Sequence, residues 1–176
     1  TKFNPRNVVL LGSNKYKKKT KINKINNFNL LAIPSAYESE ASEFIELCYR
    51  CLKSNKNLKI NLILRLHPQI NKPNFIKKNL KLLKNETRIK ISDSILINDI
   101  SSCKFVLYRS SSAVIDAVQQ GLIPIFFHEK KASFQLDPLW QLNSKIIVKN
   151  FHELCKILEN KKHLNKKKTF AIYKFC

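Results

Sequence analysis

Two short polar clusters in this sequence hold residue types that bind anions. In the first, Tyr108 is followed by Arg109, Ser110, Ser111 and Ser112, so a guanidinium and three hydroxyls open an apolar-striped segment. Such a segment reads as a helix whose first backbone N–H groups are unpaired, and hydroxyls beside them complete an anion pocket. A helix cap needs one hydroxyl; three beside an arginine exceed that need. Hydrogen bonds to a charged phosphate contribute about 1.5–3 kcal/mol each, so a few donors suffice for useful binding. In the second cluster Arg65 and Leu66 precede His67 and Pro68. The proline holds His67 in an extended conformation, from which the imidazole could donate to a phosphate oxygen or stabilise a departing phosphate. His128 and Glu129 form a third pair, suited to a ribose or sugar hydroxyl. Glu38 and Glu40 stand near the start of a helix, where the helix dipole accounts for them. A general base is the sharper role for either.

Short apolar runs that read as buried strands alternate with longer amphipathic stretches. That pattern predicts an α/β fold, a Rossmann-like open parallel sheet with helices on both faces. Strands are expected at residues 8–11, 30–33, 60–66, 88–91, 105–108, 122–127 and 145–148. Helices are expected at 40–54, 74–83, 94–101, 111–120 and 151–159, with a last one after 168. In the helix at 40–54, Phe44, Leu47, Cys48, Cys51 and Leu52 recur at three- and four-residue steps. The helix at 111–120 carries Ala113, Val114, Ala117 and Val118 inward, and Gly121 is placed to end it in a left-handed turn. In such sheets ligands bind beyond the carboxyl ends of the strands, which puts residues 34–38, His67–Pro68 and Arg109–Ser112 on one rim. Three segments result: a first strand and lysine-rich linker over 1–29, a Rossmann-like domain over 30–160, and a basic tail or helix over 161–176.

Composition bounds the partners. The 176 residues include 33 Lys+Arg against 12 Asp+Glu, a formal charge of +21, and 44% are hydrophobic. That leaves room for one compact core and excludes a disordered tail. Of the basic residues 28 are Lys and 5 are Arg. Arg, whose planar fork reads phosphate and guanine, has not risen with Lys, so nucleic acid is not the expected partner. The lysines of 15–24 and 161–168 suit a solvated surface or peripheral contact with an anionic membrane. No apolar window is long enough to span a bilayer and none near Thr1 has the flanks of a signal peptide, so a cytoplasmic chain is expected, with a peripheral place at the inner face of the membrane open to it. Cys48 and Cys51 form a CxxC without a second pair or histidine cluster at metal spacing. They read as reduced cysteines serving as small apolar residues, and no metal is expected. The start at Thr1 and the lack of any Met suggest a processed or cut N-terminus, and so a piece of something longer.

The run Arg65-Leu66-His67-Pro68, then Tyr108-Arg109-Ser110-Ser111-Ser112, then Gly121-Leu122-Ile123-Pro124 resembles the C-terminal, donor-binding half of GT-B glycosyltransferases that use cytidine-activated donors. These include bacterial sialyltransferases, polysialyltransferases and capsule sugar transferases; the CDP-glycerol glycerophosphotransferases are similar. The resemblance covers roughly residues 30–142. It implies that His67 contacts the nucleotide phosphate and helps the leaving group, and that Ser110, Ser111 and Ser112 bind phosphate. In those families the acceptor-activating carboxylate usually belongs to an N-terminal Rossmann-like half, for which this sequence has no counterpart. A donor-binding site for a CMP-activated sugar is therefore expected, built from His67 with Arg65, Arg109, Ser110, Ser111, Ser112, His128 and Glu129. No cofactor is implied beyond the donor substrate. The acceptor, a surface polysaccharide or glycolipid, would be held by another domain or a partner chain. The rival from another class is a non-catalytic basic module that binds RNA or anionic membrane.

Overall fold

A computed structural model describes residues 29–128, 136–140, 142 and 145–160. The expected strand at 8–11, the lysine-rich segment, Glu129, and the basic tail with its last helix lie outside the described residues. The described residues form six parallel strands and six helices, in the order β1 (Asn29–Ile33), α1 (Glu38–Ser54), β2 (Leu62–Leu64), α2 (Lys72–Lys78), α3 (Leu80–Asn85), β3 (Ile89–Ile91), α4 (Leu96–Ser101), β4 (Cys103–Tyr108), α5 (Ala113–Gln119), β5 (Ile123–Phe127), β6 (Ile146–Val148) and α6 (Phe151–Glu159). The sheet order is β3-β2-β1-β4-β5-β6, and every neighbouring pair is parallel. The chain winds outward from β1 to β3, then crosses back to β4 and winds outward on the other side. Direction therefore reverses between β1 and β4, and the connections leaving those two strands diverge there.

Both faces of the sheet are covered, which is why its strands are apolar without alternation. Leu30, Ala32, Phe105, Leu107, Ile123 and Ile125 pack on one face with Phe44, Cys48 and Cys51 of α1 and Leu154 of α6. Leu31, Ile33, Val106 and Tyr108 pack on the other with Ile100 of α4 and Val114, Ala117 and Val118 of α5. Along 30–33 of β1 and 105–108 of β4, adjacent residues go to opposite clusters, as the two-residue pleat requires.

Three expectations change in detail. The strand expected over 60–66 shrinks to β2, because pairing to β1 and β3 is confined to Leu62, Ile63 and Leu64; Ile60 is still buried. The helix expected over 74–83 begins earlier, at Lys72, and breaks at Asn79, whose side-chain amide donates to the Phe75 carbonyl at 2.9 Å. An asparagine that bonds the backbone in this way competes with continued helix. The helix expected from Ser111 begins at Ala113. Its end is as read: Gly121 has φ 94°, its N–H bonds Val118 at 2.9 Å, and the Leu122 N–H bonds Ala117 at 3.0 Å. That pair of bonds is a Schellman motif, which needs a residue free of a Cβ penalty at the left-handed position. Pro124 pairs with Val106 of β4, and β5 meets β6 only from Ile125 onward.

Candidate functional site

The carboxyl rim of the sheet carries the site, and its centre is the reversal between β1 and β4. The β1–α1 connection begins at Pro34 and Ser35; the β4–α5 connection is Arg109–Ser112. Glu40, in the first turn of α1, joins them. Its carboxylate accepts the Ser35 N–H at 3.1 Å, the Ser35 hydroxyl at 2.6 Å and the Ser110 hydroxyl at 3.3 Å. Glu40 is 5% exposed. A carboxylate so deeply placed persists because several donors replace its lost hydration. It fixes the separation of the two diverging connections.

Arg109 follows β4 and turns inward. Its guanidinium donates to Glu43 of α1 at 2.7 Å and to the Phe127 carbonyl at 3.4 Å, and it lies 4.8 Å from the Phe127 ring centre and 5.7 Å from that of Phe44. At 7% exposure it is wall, not rim. In this position it ties the start of the serine turn to α1 and β5. Arg65 is likewise committed, donating to the Ser94 carbonyl at 2.5 Å and to Asp99 at 2.9 Å. The buried Asp99 also takes the Ser92 hydroxyl at 2.7 Å. Arg65 thus ties together the connections after β2 and β3.

The Ser110 hydroxyl is taken by Glu40, while Nε2 of His67 and the hydroxyls of Ser111 and Ser112 make no bond among the described residues. His67 follows β2 and is half-buried; its Nδ1 accepts the Gln69 N–H at 3.2 Å. In neutral imidazole the proton therefore sits on Nε2, which makes that nitrogen a donor. Ser112 occupies the N-cap position of α5, yet its side chain makes no capping bond. Its exposed hydroxyl is not explained by helix capping. Because all strands run the same way, His67 and the serine turn stand at the same end of the sheet, two strand spacings or about 10 Å apart. That is the span of a phosphate with its attached sugar rather than of one anion touched by both groups at once.

His128 and Tyr108 lie on the β5 side of the serine turn, with β5 the direct neighbour of β4. His128 follows β5, donates its backbone N–H to Val148 at 2.8 Å, and places its ring 6.2 Å from that of Phe126. Tyr108 is fully buried beneath the serine turn, and burial, reinforced by the charge of Asp137, pushes its hydroxyl pKa up. It serves as a neutral packing group. Among the described residues no group of three or more His, Cys, Asp or Glu is placed to hold a metal ion, and no helix is long and apolar enough to cross a membrane.

Sequence reasoning placed 34–38, and so Ser35, on the rim, but it gave Glu40 to the helix dipole and missed its bridging role and the part of Glu43. The signal was present. Glu40, Phe44, Leu47 and Cys51 follow a four-three-four spacing, which puts the carboxylate on the buried stripe of α1.

The architecture is a Rossmann-like open parallel sheet with helices on both faces, the fold of one GT-B-type half. No protein-family model matches the sequence, and no curated protein matches it at a significant level. Solved structures do. One is Anabaena HepE in complex with UDP and glucose, at TM-score 0.58 and 13% identity, with 84% of this chain matching 42% of that one. Another is a UDP-N-acetylglucosamine 2-epimerase from Listeria monocytogenes, at TM-score 0.55 and 17% identity, covering 84% and 39%. A third is the UDP-forming α,α-trehalose-phosphate synthase of Burkholderia xenovorans with glucose-6-phosphate, at TM-score 0.58 and 10% identity, covering 84% and 38%. At such identities the likeness establishes the fold. The chain spans about two-fifths of the length of these structures.

Proposed function

We propose that this chain is the donor-binding half of a glycosyltransferase that moves a sugar from a nucleotide-activated donor to a surface polysaccharide or glycolipid held by another domain or a partner chain. The observation that carries the reading is the Glu40 bridge: a buried carboxylate fixes the Ser35 and Ser110 connections at the reversal point, with Ser111 and Ser112 beside it and His67 on the same rim. In the transfer, the bond from the sugar's anomeric carbon to the nucleotide phosphate breaks as the acceptor oxygen bonds to that carbon from the opposite side. Negative charge accumulates on the departing phosphate. Hydroxyls of Ser111 and Ser112 would receive it, with Ser110 held to Glu40 as their support and the Nε2–H of His67 placed to hold the attached sugar, and donors fixed before the reaction stabilise such charge without reorganising. This reading is inverting and assigns charge neutralisation to side chains, without a metal. The base that takes the acceptor's proton belongs to the other half.

The resemblance of His67-Pro68 and the paired serines favours a CMP-activated sugar. A UDP-activated donor is the second reading, favoured by the UDP bound in Anabaena HepE and by the UDP co-structure of Staphylococcus aureus MnaA, a further structural neighbour. Isothermal titration with CMP and with UDP tests both. We expect CMP to bind, and the double variant Ser111→Ala, Ser112→Ala to weaken it at least tenfold, since each lost bond to charged phosphate is worth about 1.5–3 kcal/mol. Preference for UDP would move the donor to the second reading. Absence of heat with either nucleotide, or unchanged affinity in the double variant, would overturn the site.

A further inference from the structure

The last turns of α1 and the middle of α6 bury three thiols that the proposed reaction does not use. Cys48 and Cys51 are each 1% exposed and Cys155 is 7% exposed; all three are free. The Sγ atoms of Cys155 and Cys51 are 2.7 Å apart. Even carbon atoms rest at about 3.5–4.0 Å, and sulfur is larger, so this contact is already part of the way to the ~2.0 Å of a disulfide. Cys155 also lies 3.4 Å from the Cys51 carbonyl and 3.5 Å from the Ser54 hydroxyl, so its side chain is aimed at the end of α1. A void of about 10 Å³ lined by Cys48, Cys51, Leu154 and Leu158, among others, adjoins the pair. It gives the sulfurs room to adjust. Cys48 lies one turn earlier on the same helix as Cys51 and has no comparable sulfur contact.

We propose that Cys51 and Cys155 are a redox-modification site, closing into a disulfide that staples α6 to α1 when the chain meets a small-molecule disulfide or an equivalent two-electron oxidant. One of the two thiolates attacks a sulfur of the small disulfide, forming a mixed disulfide and releasing one small thiolate. The other protein thiolate then attacks the protein sulfur of that adduct and releases the second. The protein loses two protons and two electrons, and the reagent leaves as two thiols. Burial holds the Cys51 and Cys48 thiols above the ordinary cysteine range, so attack waits on local opening. α6 follows the edge strand β6 and can lift without breaking the central strands. Oxidation is therefore slow in the folded chain and accelerated by mild denaturant.

The staple closes a loop between residues 104 apart in sequence. A crosslink that long restricts the unfolded chain strongly, and for a chain of this size the thermal midpoint should rise on the order of 10 °C. The experiment incubates the reduced full chain with oxidised glutathione, alkylates the remaining thiols and maps the peptides by mass spectrometry. The expected result is one linked peptide pair joining Cys51 and Cys155, a raised midpoint, and reversal by dithiothreitol. A triple variant, Cys48→Ser with Cys103→Ser and Cys176→Ser, should form the same link within one chain. Cys51 joined to Cys48, a stable glutathione adduct on either residue, crosslinking only between chains, or both thiols still alkylatable after treatment in mild denaturant would each overturn the assignment. Nucleotide binding plays no part in this readout, so the staple and the donor site stand or fall separately.

Discussion

Replacing Glu40 separates two explanations of an acidic residue at a helix start. If the helix dipole accounts for it, Glu40→Ala and Glu38→Ala should each cost about 0.3–1 kcal/mol, because both lie in the first turn of α1. The bridge to Ser35 and Ser110 makes them unequal. Glu38 pairs with Lys78, whose side chain is 67% exposed, and removing such a surface pair should change stability by less than about 1 kcal/mol. Glu40 accepts two well-formed bonds from Ser35 at 2.6 and 3.1 Å and a longer one from Ser110 at 3.3 Å. At the low end for charged hydrogen bonds, the first two give about 3 kcal/mol. Relief of the carboxylate's desolvation offsets part of that, leaving a net loss of about 2 kcal/mol. For a chain of this length the thermal midpoint should fall by about 4–8 °C. Glu40→Gln keeps the shape and one carbonyl acceptor, and its amide can donate to a serine oxygen, so it should lose about half as much. Thermal melts of the three variants under one buffer decide the matter. Equal losses for Glu38→Ala and Glu40→Ala, or no loss for Glu40→Ala, would refute the bridge.

Two further outcomes follow from the same contacts. The Arg88 guanidinium, bonded to Glu86 at 2.6 and 2.7 Å, holds that carboxyl below its ordinary value near 4.5. A lowered folded-state value contributes stability above pH 4.5 that is lost as pH falls through it; Glu86→Gln should lower stability at neutral pH and flatten its acid dependence, read by urea titrations from pH 7 to 3. Phe44 is fully buried, edge-on to Phe127 at 5.8 Å, and Arg109 lies over both rings; Phe44→Ala should cost about 3–5 kcal/mol in chemical denaturation, and a loss under 1 kcal/mol would contradict the packing described.

The strands and the rim were legible because a sheet buried on both faces writes itself as apolar runs, and parallel strands send every following connection to one end. The central strand 105–108 and the helix 151–159 needed little beyond that pattern. Charged partners were less legible. Arg65 and Arg109 have the chemistry of phosphate ligands, but Asp99 lies 34 residues from the first and Glu43 lies 66 from the second. A pairing over such separations is decided by topology, which no local window contains. Asn79 failed in the opposite way: its helix-breaking bond is local, but an amphipathic stripe running through it hid the competition.

Pro124 has a consequence for how the molecule ends at one side. The His128 N–H reaches Val148 of β6, and backbone N–H groups of a strand alternate between its two neighbours, so Phe126 and Pro124 present the same flank. Pro124 has nothing to donate there. β6 can add no rung beside it, which keeps that border at three residues and denies a stray strand from another molecule a longer template. One missing hydrogen thus sets where β6 can begin to pair with its neighbour.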